Sequence, residues 1–134
     1  MKVTVVTVAY NSATTIASCM QSVLNQTFPD IEYIVVDGLS SDNTIGLICE
    51  FEPRFAGRMR WVSEKDAGIY DAMNKGLRMA TGDVVGILNS DDFFTTTDVV
   101  EKVAQAFSDP MLDAVYGDVH FVRESDLTHC VRHY

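Results

Sequence analysis

Two adjacent carboxylates, Asp91 and Asp92, are the residues of this sequence best suited to chemistry. They follow the apolar run 84–88 and the dipeptide Asn89-Ser90. A short apolar run predicts a buried strand, so charge at its end would lie at the rim of a sheet. Ligands of open α/β sheets bind outside the carboxyl ends of the strands, and hard oxygen donors there suit Mg²⁺ or Mn²⁺. The pattern predicts such a metal ion at Asp91 and Asp92, which would in turn suit a diphosphate.

Two earlier apolar runs also end in polar residues. The first passes into Tyr10-Asn11 and the second into Asp37-Gly38. If the three strands lie parallel, their carboxyl ends meet at one edge of the sheet. We therefore expect Tyr10, Asp37 and Asp91 to form one site, although they are far apart along the chain.

Helical patterns separate the strand-like runs. Strands are predicted over 3–9, 33–36, 60–63, 84–88 and 114–122, the last interrupted near Gly117. The first two helices are capped by Ser12 and within 41–43, and their inward residues are Ile16, Met20, Val23 and Leu24 in the first and Ile45, Ile48 and Phe51 in the second. The third helix, over 67–80, buries Met73, Leu77 and Ala80 and stops at Gly82, and the fourth is capped by Thr96 or Thr97. This alternation predicts an α/β fold, a three-layer α/β/α sandwich with a mainly parallel sheet. We expect one domain over 1–134.

Composition limits the function. A net charge of −9 argues against nucleic acid or an anionic lipid surface as the main partner, because both would be repelled. The three cysteines form no C-x-x-C pair, which indicates reduced thiols in a cytoplasmic protein, and Cys19 and Cys49 are expected to be buried. The apolar stretch after Lys2 is too short and too polar for a signal peptide or a membrane span.

Common phosphate-binding motifs are missing. The sequence has no G-x-x-x-x-G-K-[ST] loop and no G-x-G-x-x-G after the first strand. Phosphate must be held in another way.

Five segments together resemble the inverting, GT-A-type glycosyltransferases of family 2. They are Thr7–Asn11, Val35–Thr44, Glu64–Gly76, Ala80–Asp83 and Leu88–Phe93, and they follow one another at plausible spacing. The variant Tyr-Asp-Ala-Met-Asn-Lys-Gly resembles the subgroup that builds bacterial surface polysaccharides. The resemblance extends over most of the chain.

The resemblance implies a binding site for a nucleoside-diphosphate sugar. Backbone groups near Thr7 and Ala9 would contact the nucleotide, Tyr10 would stack on the base, and Asp37 would accept a base N–H, which favours uracil or guanine. The segment 65–75 would close over the ribose and diphosphate. The donor-binding residues implied are Thr7, Ala9, Tyr10, Asn11, Asp37, Gly38, Lys65, Asp66, Asn74, Lys75 and Ser90, and the metal ligands are Asp91 with Asp92.

The implied reaction is an inverting displacement at the anomeric carbon by an acceptor hydroxyl, from a saccharide or a lipid-linked saccharide. The family's signature has an aspartate where this chain has Asn89, and an amide can accept a ribose hydroxyl but carries no charge. The general base is expected beyond Tyr134, with Asp118 as a weak candidate within the chain. Contact with the inner face of the membrane and self-association of the chain are further expectations.

Structural readings of the same residues remain open. Asp91-Asp92 could cap the following helix, Tyr10 could belong to the core, and Asp37 could form a turn. Lys75 has the i,i+4 spacing for an ion pair with Asp71. Two other functions are also open: a non-catalytic nucleotide-sugar binding module, and a sugar nucleotidyltransferase, which normally has a Gly-rich basic loop after its first strand.

Overall fold

The computed structural model describes all residues from Met1 to Tyr134. The chain divides into two units, Met1–Ala104 and Gln105–Tyr134. Each is described by itself below, and the expectation of a single domain stays a prediction. No helix combines the length and the apolar composition that a membrane crossing requires.

Four strands and four helices make up most of the chain up to residue 106. In order they are β1 (Val3–Ala9), α1 (Ile16–Leu24), β2 (Ile31–Asp37), α2 (Thr44–Phe51), a 3₁₀ helix (Glu52–Phe55), β3 (Met59–Ser63), α3 (Ile69–Met79), β4 (Val84–Ile87) and α4 (Val99–Ala106). The sheet order is β3-β2-β1-β4 and every pairing is parallel. The predicted α/β fold with a mainly parallel sheet is therefore confirmed.

The register brings the strand ends together. Ala9 pairs with Asp37, and Asp37 pairs with Ser63. The amide of Leu88, just after β4, donates to the carbonyl of Val6 at 2.8 Å. The loops that follow all four strands consequently leave the sheet at the same edge, as expected for a site at this edge.

Helices cover both faces of the sheet. On one face α1 and α2 bury Ile16, Met20 and Ile48 against β1 and β2. On the other face Ala72 of α3 packs with Val6, Val8, Ile34 and Val36. The alternation of β1 side chains between these clusters explains why all seven of its residues are buried.

Helix α3 faces the sheet only partly as predicted: Met73 and Ala80 are partly buried against the core, but Leu77 is not. Ala72 and Gly76 are its buried residues, whereas Leu77 is 47% exposed. A Cβ on Gly76 would lie 2.3 Å from Cγ1 of Val6, so the helix approaches β1 through its smallest residues. This close approach turns Leu77 toward solvent.

Other local predictions are corrected as well. Helix α1 begins at Ile16 with Thr15 at the N-cap, because the carbonyl of Ser12 accepts hydrogen bonds from Thr15 and Ile16 and so closes a preceding turn. Helix α3 ends in extended backbone at Ala80, and Gly82 is instead required by a close approach: its Cβ would lie 2.5 Å from Oγ1 of Thr4. Cys49 lies on the outer side of α2 and is exposed.

The apolar run at β4 is less buried than expected. Val85 is 38% and Ile87 is 41% exposed. β4 is one of the two edge strands of this sheet, so one of its backbone edges has no partner strand. Such an edge agrees with the expected self-association, which stays a prediction.

Residues Gln105–Tyr134 end in an antiparallel hairpin of β5 (His120–Arg123) and β6 (Asp126–His133). The predicted strand over 114–122 is therefore wrong before residue 120. Tyr116 is 95% and Val119 is 52% exposed, and the strand bonds of β5 are satisfied by the adjacent β6. An apolar run alone could not distinguish a local hairpin from a further parallel strand.

A carboxylate in β2 ties the sheet to the chain before β4. Glu32 accepts hydrogen bonds from the hydroxyl of Thr4, from the amide and hydroxyl of Thr81, and from Arg60 at 3.0 Å. Burial acts to raise the pKa of Glu32, but these hydrogen bonds outweigh it and lower the pKa from 4.5 to about 2. Glu32 is therefore a stabilising carboxylate that is sensitive to acid.

We expect Glu32→Gln to lower the free energy of unfolding by about 2 kcal/mol at neutral pH, after allowance for solvent screening of Arg60. Because the folded pKa lies below the unfolded one, this stabilisation is complete above pH 4.5 and is lost as the pH falls towards 2. Urea titrations of both proteins across this pH range measure the difference. Glu50→Gln, in the exposed i,i+4 pair with Arg54, is the control and should change little. A constant difference between the Glu32 variant and the parent at all pH values would contradict the assignment.

Candidate functional site

A cleft of about 880 Å³ opens at the carboxyl edge of the sheet. Its walls come from the segments that follow β1, β2, β3 and β4, so all of it belongs to the unit Met1–Ala104. Eight of the predicted site residues line it: Ala9, Tyr10, Asn11, Gly38, Lys65, Asp66, Ser90 and Asp91. Thr7, Asp37, Asn74, Lys75 and Asp92 are not among the lining residues. The remaining lining residues are Val8, Ser12, Thr14, Thr15, Leu39, Gly68, Ile69, Ala72 and Asn89.

At one side of the cleft an aromatic ring and a carboxylate lie close to a glycine, and we call Tyr10, Gly38 and Asp66 the shelf. A Cβ added to Gly38 would lie 2.7 Å from Oδ2 of Asp66 and 3.4 Å from Cδ1 of Tyr10. The Tyr10 side chain is 66% exposed, so it does not belong to the core. Only a glycine allows the Asp66 carboxylate to lie this close to the backbone beside the tyrosine. The exposed ring of Tyr10 is able to stack on a flat base, and the carboxylate is able to accept a hydrogen bond from a ring N–H.

Asp37 lies at the end of β2 but is completely buried. Its Oδ2 accepts from the amide of Ser40 at 2.9 Å and from the hydroxyl of Ser63 at 2.7 Å, and its Oδ1 accepts from the hydroxyl of Ser40. The carboxylate therefore joins the loop after β2 to the end of β3. These contacts are those of the turn-forming interpretation, and the expected contact with a base stays a prediction.

Asn11 has its side chain turned to the neighbouring loop. Its side-chain Oδ1 accepts from the backbone amide of Ser41 at 2.8 Å, and its backbone amide donates to the hydroxyl of Ser40 at 2.7 Å. The residue has φ of 47°, in the left-handed region that asparagine tolerates better than most residues. Asn11 thus connects the loops after β1 and β2, and it offers the cleft its backbone.

The segment after β4 carries the oxygen-rich end of the cleft. The hydroxyls of Ser90 and Ser12 lie 2.7 Å apart, and the amide of Asp92 donates to the carbonyl of Asn89 at 3.0 Å. Partial burial, and then the negative charge of Asp91, raise the pKa of Asp92 above its ordinary value. Asp91 itself lines the cleft and is exposed.

One buried polar atom in this segment has no partner. Oδ1 of Asn89 is enclosed and receives no hydrogen bond. An acceptor left unpaired in this way costs free energy unless a ligand, water or ion completes it. No cluster of three His, Cys, Asp or Glu side chains suited to a metal exists in the structure. The donor set of Asp91, Asp92 and Asn89 still fits a hard divalent ion whose other ligands are water and phosphate oxygens, which is how Mg²⁺ is usually bound.

The other predicted residues lie outside the cleft. Thr7 is buried, and its hydroxyl accepts from that of Tyr33 at 2.9 Å in a cluster with Cys19. Burial raises the pKa of Cys19 to about 11, so this thiol is not a nucleophile at neutral pH. Asn74 is exposed on α3. Asp118, the weak candidate for a base, lies in the unit Gln105–Tyr134, where its carboxylate is 3.1 Å from Nε2 of His133.

Some of the lining residues that were not predicted have a signal in the sequence, and others have none. Ser12, Thr14 and Thr15 belong to a small polar stretch without charge, which is a recognisable signal after a strand end. Leu39 gives no such signal, because an apolar residue that is exposed and has a left-handed φ of 67° cannot be recognised from the sequence. A smaller hollow of about 510 Å³, lined by α1 and 94–97, contains no charged side chain.

Comparison with models of protein families matches residues 4–130 to the family described as Glycosyl transferase family 2. A similar curated protein is a PGL/p-HBAD biosynthesis glycosyltransferase from Mycobacterium bovis, which is 36% identical over 110 residues. That alignment covers 81% of this chain and 43% of the relative. The chain therefore spans less than half the length of this relative.

Solved structures show the same fold. TarS 1–349 of S. aureus in complex with UDP-GlcNAc superposes with a TM-score of 0.71 at 28% identity, covering 82% of this chain and 32% of that one. The mannosyltransferase PcManGT of Pyrobaculum calidifontis, in complex with GDP-Man and Mn²⁺, superposes with a TM-score of 0.75 at 30% identity. That match covers 91% of this chain and 35% of the mannosyltransferase.

Proposed function

Because this chain belongs to glycosyl transferase family 2, we propose that it forms the donor-binding part of an enzyme that transfers a sugar from a UDP- or GDP-sugar to an acceptor hydroxyl. The observation that carries the proposal is the cleft at the carboxyl edge, which joins an aromatic shelf at Tyr10 to the carboxylate of Asp91. A nucleoside diphosphate has the matching sequence of groups, from a flat base to a charged diphosphate. The ligands named for TarS and PcManGT support this substrate class.

We assign base recognition to the shelf formed by Tyr10, Gly38 and Asp66. The Oδ1 of Asp66 accepts from the amide of Gly68 at 3.0 Å, while Oδ2 lies against the backbone of Gly38 and has no hydrogen-bond donor within the protein. A carboxylate in this position accepts a ring N–H, which uracil and guanine have and cytosine lacks. Lys65, which is exposed at the same wall, supplies positive charge for the phosphates.

Asp91, with Asp92 and Oδ1 of Asn89, would hold Mg²⁺ or Mn²⁺ at the other end of the cleft. These residues would thereby place positive charge where negative charge grows on a departing diphosphate. The Mn²⁺ named for PcManGT supports the choice of metal. The cleft residues would bind the donor with its anomeric carbon open to attack, and the proposed outcome of that displacement is inversion.

The acceptor we propose is the hydroxyl of a saccharide or of a lipid-linked saccharide, as in polysaccharide assembly. The biosynthetic role named for the Mycobacterium bovis relative supports an acceptor of this kind. A cytoplasmic location, at the inner membrane face where the acceptor is lipid-linked, belongs to the same proposal.

Calorimetric titration with UDP, GDP, CDP and ADP, each with and without Mn²⁺, tests the proposal. We expect UDP or GDP to bind and the affinity to increase with Mn²⁺, because a divalent cation would offset the repulsion between Asp91 and the diphosphate. CDP and ADP should bind more weakly. If none of the four binds to a protein that circular dichroism shows to be folded, the donor-binding function is wrong.

A further inference from the structure

The loop of residues 64–68, between β3 and α3, carries two of the cleft's charged side chains. Lys65 and Asp66 both line the cleft from this loop. The amide of Glu64 donates to the carbonyl of Asp37 at 3.0 Å, which attaches the start of the loop to β2. Gly68 at its end has φ of 112°, a conformation that favours glycine. The placement of Lys65 and Asp66 therefore depends on what holds the middle of the loop.

Lys75, on the second turn of α3, holds that part of the loop. Its ammonium group donates to the carbonyl of Lys65 at 2.9 Å and lies 3.2 Å from Oε1 of Glu64 and 3.7 Å from Oδ2 of Asp71. The same oxygen of Asp71 accepts from the amide of Ala67 at 2.9 Å. Lys75 and Asp71, one turn apart on α3, thus both bind the backbone of the loop: Lys75 at the carbonyl of Lys65 and Asp71 at the amide of Ala67.

The three oxygens around Lys75 match the three hydrogens of its ammonium group. Only 16% of the side chain is exposed, and the residue does not line the cleft. To reach a ligand, the group would have to leave the carbonyl that fixes the loop. An isolated ion pair with a half-exposed Glu64 would contribute little, but a charge-assisted bond to a backbone carbonyl sets the loop's position directly.

From these contacts we infer that Lys75 is a positioning residue. It fixes the backbone of the loop 64–68, so that Lys65 and Asp66 present their side chains to a nucleoside diphosphate that Lys75 itself does not touch. This inference rests on the proposed donor-binding function. It differs from the expected direct contact between Lys75 and the ribose or diphosphate.

Lys75→Met removes the charge while keeping the length of the side chain, and Lys102→Met is the matched control. Lys102 is also a helical lysine with an i,i+4 partner, Asp98 at 3.1 Å, but it lies on α4, away from the cleft. The affinities of the variants for UDP and for UMP, or for GDP and GMP if guanine is the preferred base, separate positioning from contact. If Lys75 only positions the loop, Lys75→Met weakens UMP as well as UDP, each by about tenfold, because Asp66 at the base is displaced together with Lys65 at the phosphates. Lys75→Arg, which keeps the charge and donors, should restore most of the affinity.

A loss confined to the diphosphate would overturn the inference, because a displaced loop moves Asp66 as well and must weaken the binding of UMP. Unchanged affinity in Lys75→Met would overturn it as well. Hydrogen exchange gives a readout without ligand: the amides of Glu64 and Ala67 should exchange faster in Lys75→Met and not in Lys102→Met. If the parent protein binds no nucleotide, the proposed function fails, while the exchange rates still decide whether Lys75 holds the loop.

Discussion

Asp91→Asn is expected to abolish the metal-dependent part of nucleoside-diphosphate binding. Asp91 is the exposed carboxylate at the end of the cleft, and Asp92 beside it has its pKa raised by partial burial and by the charge of Asp91. An amide retains the size of the side chain but removes the charge that a hard divalent cation requires. We expect the affinity measured with Mn²⁺ to fall by about 100-fold, the upper end of the range seen even for outer-shell changes at metal sites.

Calorimetry with and without Mn²⁺ measures this effect. Asp30→Asn is the matched control, since Asp30 precedes β2 and thus lies at the opposite edge of the same sheet. The control should bind like the parent, and Asp91→Asn should bind the diphosphate equally well with and without Mn²⁺. A variant that keeps the full Mn²⁺ effect would show that the metal is held elsewhere, and the capping interpretation of Asp91 would then replace the metal site.

The location of the cleft was predictable because it follows from the direction of the strands. Three short apolar runs predicted β1, β2 and β4. Parallel strands bring their carboxyl ends to one edge of the sheet, whatever sequence lies between them. That is why Tyr10 and Asp91, far apart along the chain, line the same cleft. An apolar run reveals a strand of this kind because both faces of a parallel sheet are buried.

The roles of single polar residues were less predictable. The spacing of Asp71 and Lys75 indicated an ion pair, which the structure contains at 3.7 Å. Nothing in that spacing indicated that Lys75 also binds the carbonyl of Lys65, because the contact depends on the path of a loop. Leu77 shows the same limit in the core, since the close approach of Gly76 to Val6 decides which side of α3 is buried.

Asp37→Ala is expected mainly to lower the stability of the fold, whereas Asp66→Ala is expected mainly to change nucleotide selectivity. Asp37→Ala leaves the amide of Ser40 and two hydroxyls without their buried acceptor, so we expect the free energy of unfolding to fall by about 3 kcal/mol. Asp66→Ala loses only its hydrogen bond from the Gly68 amide near the surface, so its stability should stay close to that of the parent. Urea denaturation of the two variants measures this difference.

Base selectivity then decides which carboxylate reads the base. Asp66→Ala should weaken UDP or GDP by about tenfold, the loss expected for one hydrogen bond to a charged acceptor, and should reduce the preference over CDP accordingly. Asp37→Ala should weaken all nucleotides together, because it loosens both Ser40 and the Ser63 end of β3 that supports the shelf. If Asp66→Ala keeps the preference for UDP or GDP while Asp37→Ala loses it, Asp37 is the base-reading residue and must leave Ser40 or Ser63 when the nucleotide binds. Selectivity is the sharper measurement because a general loss of order lowers every affinity, whereas the loss of one acceptor changes their ratio.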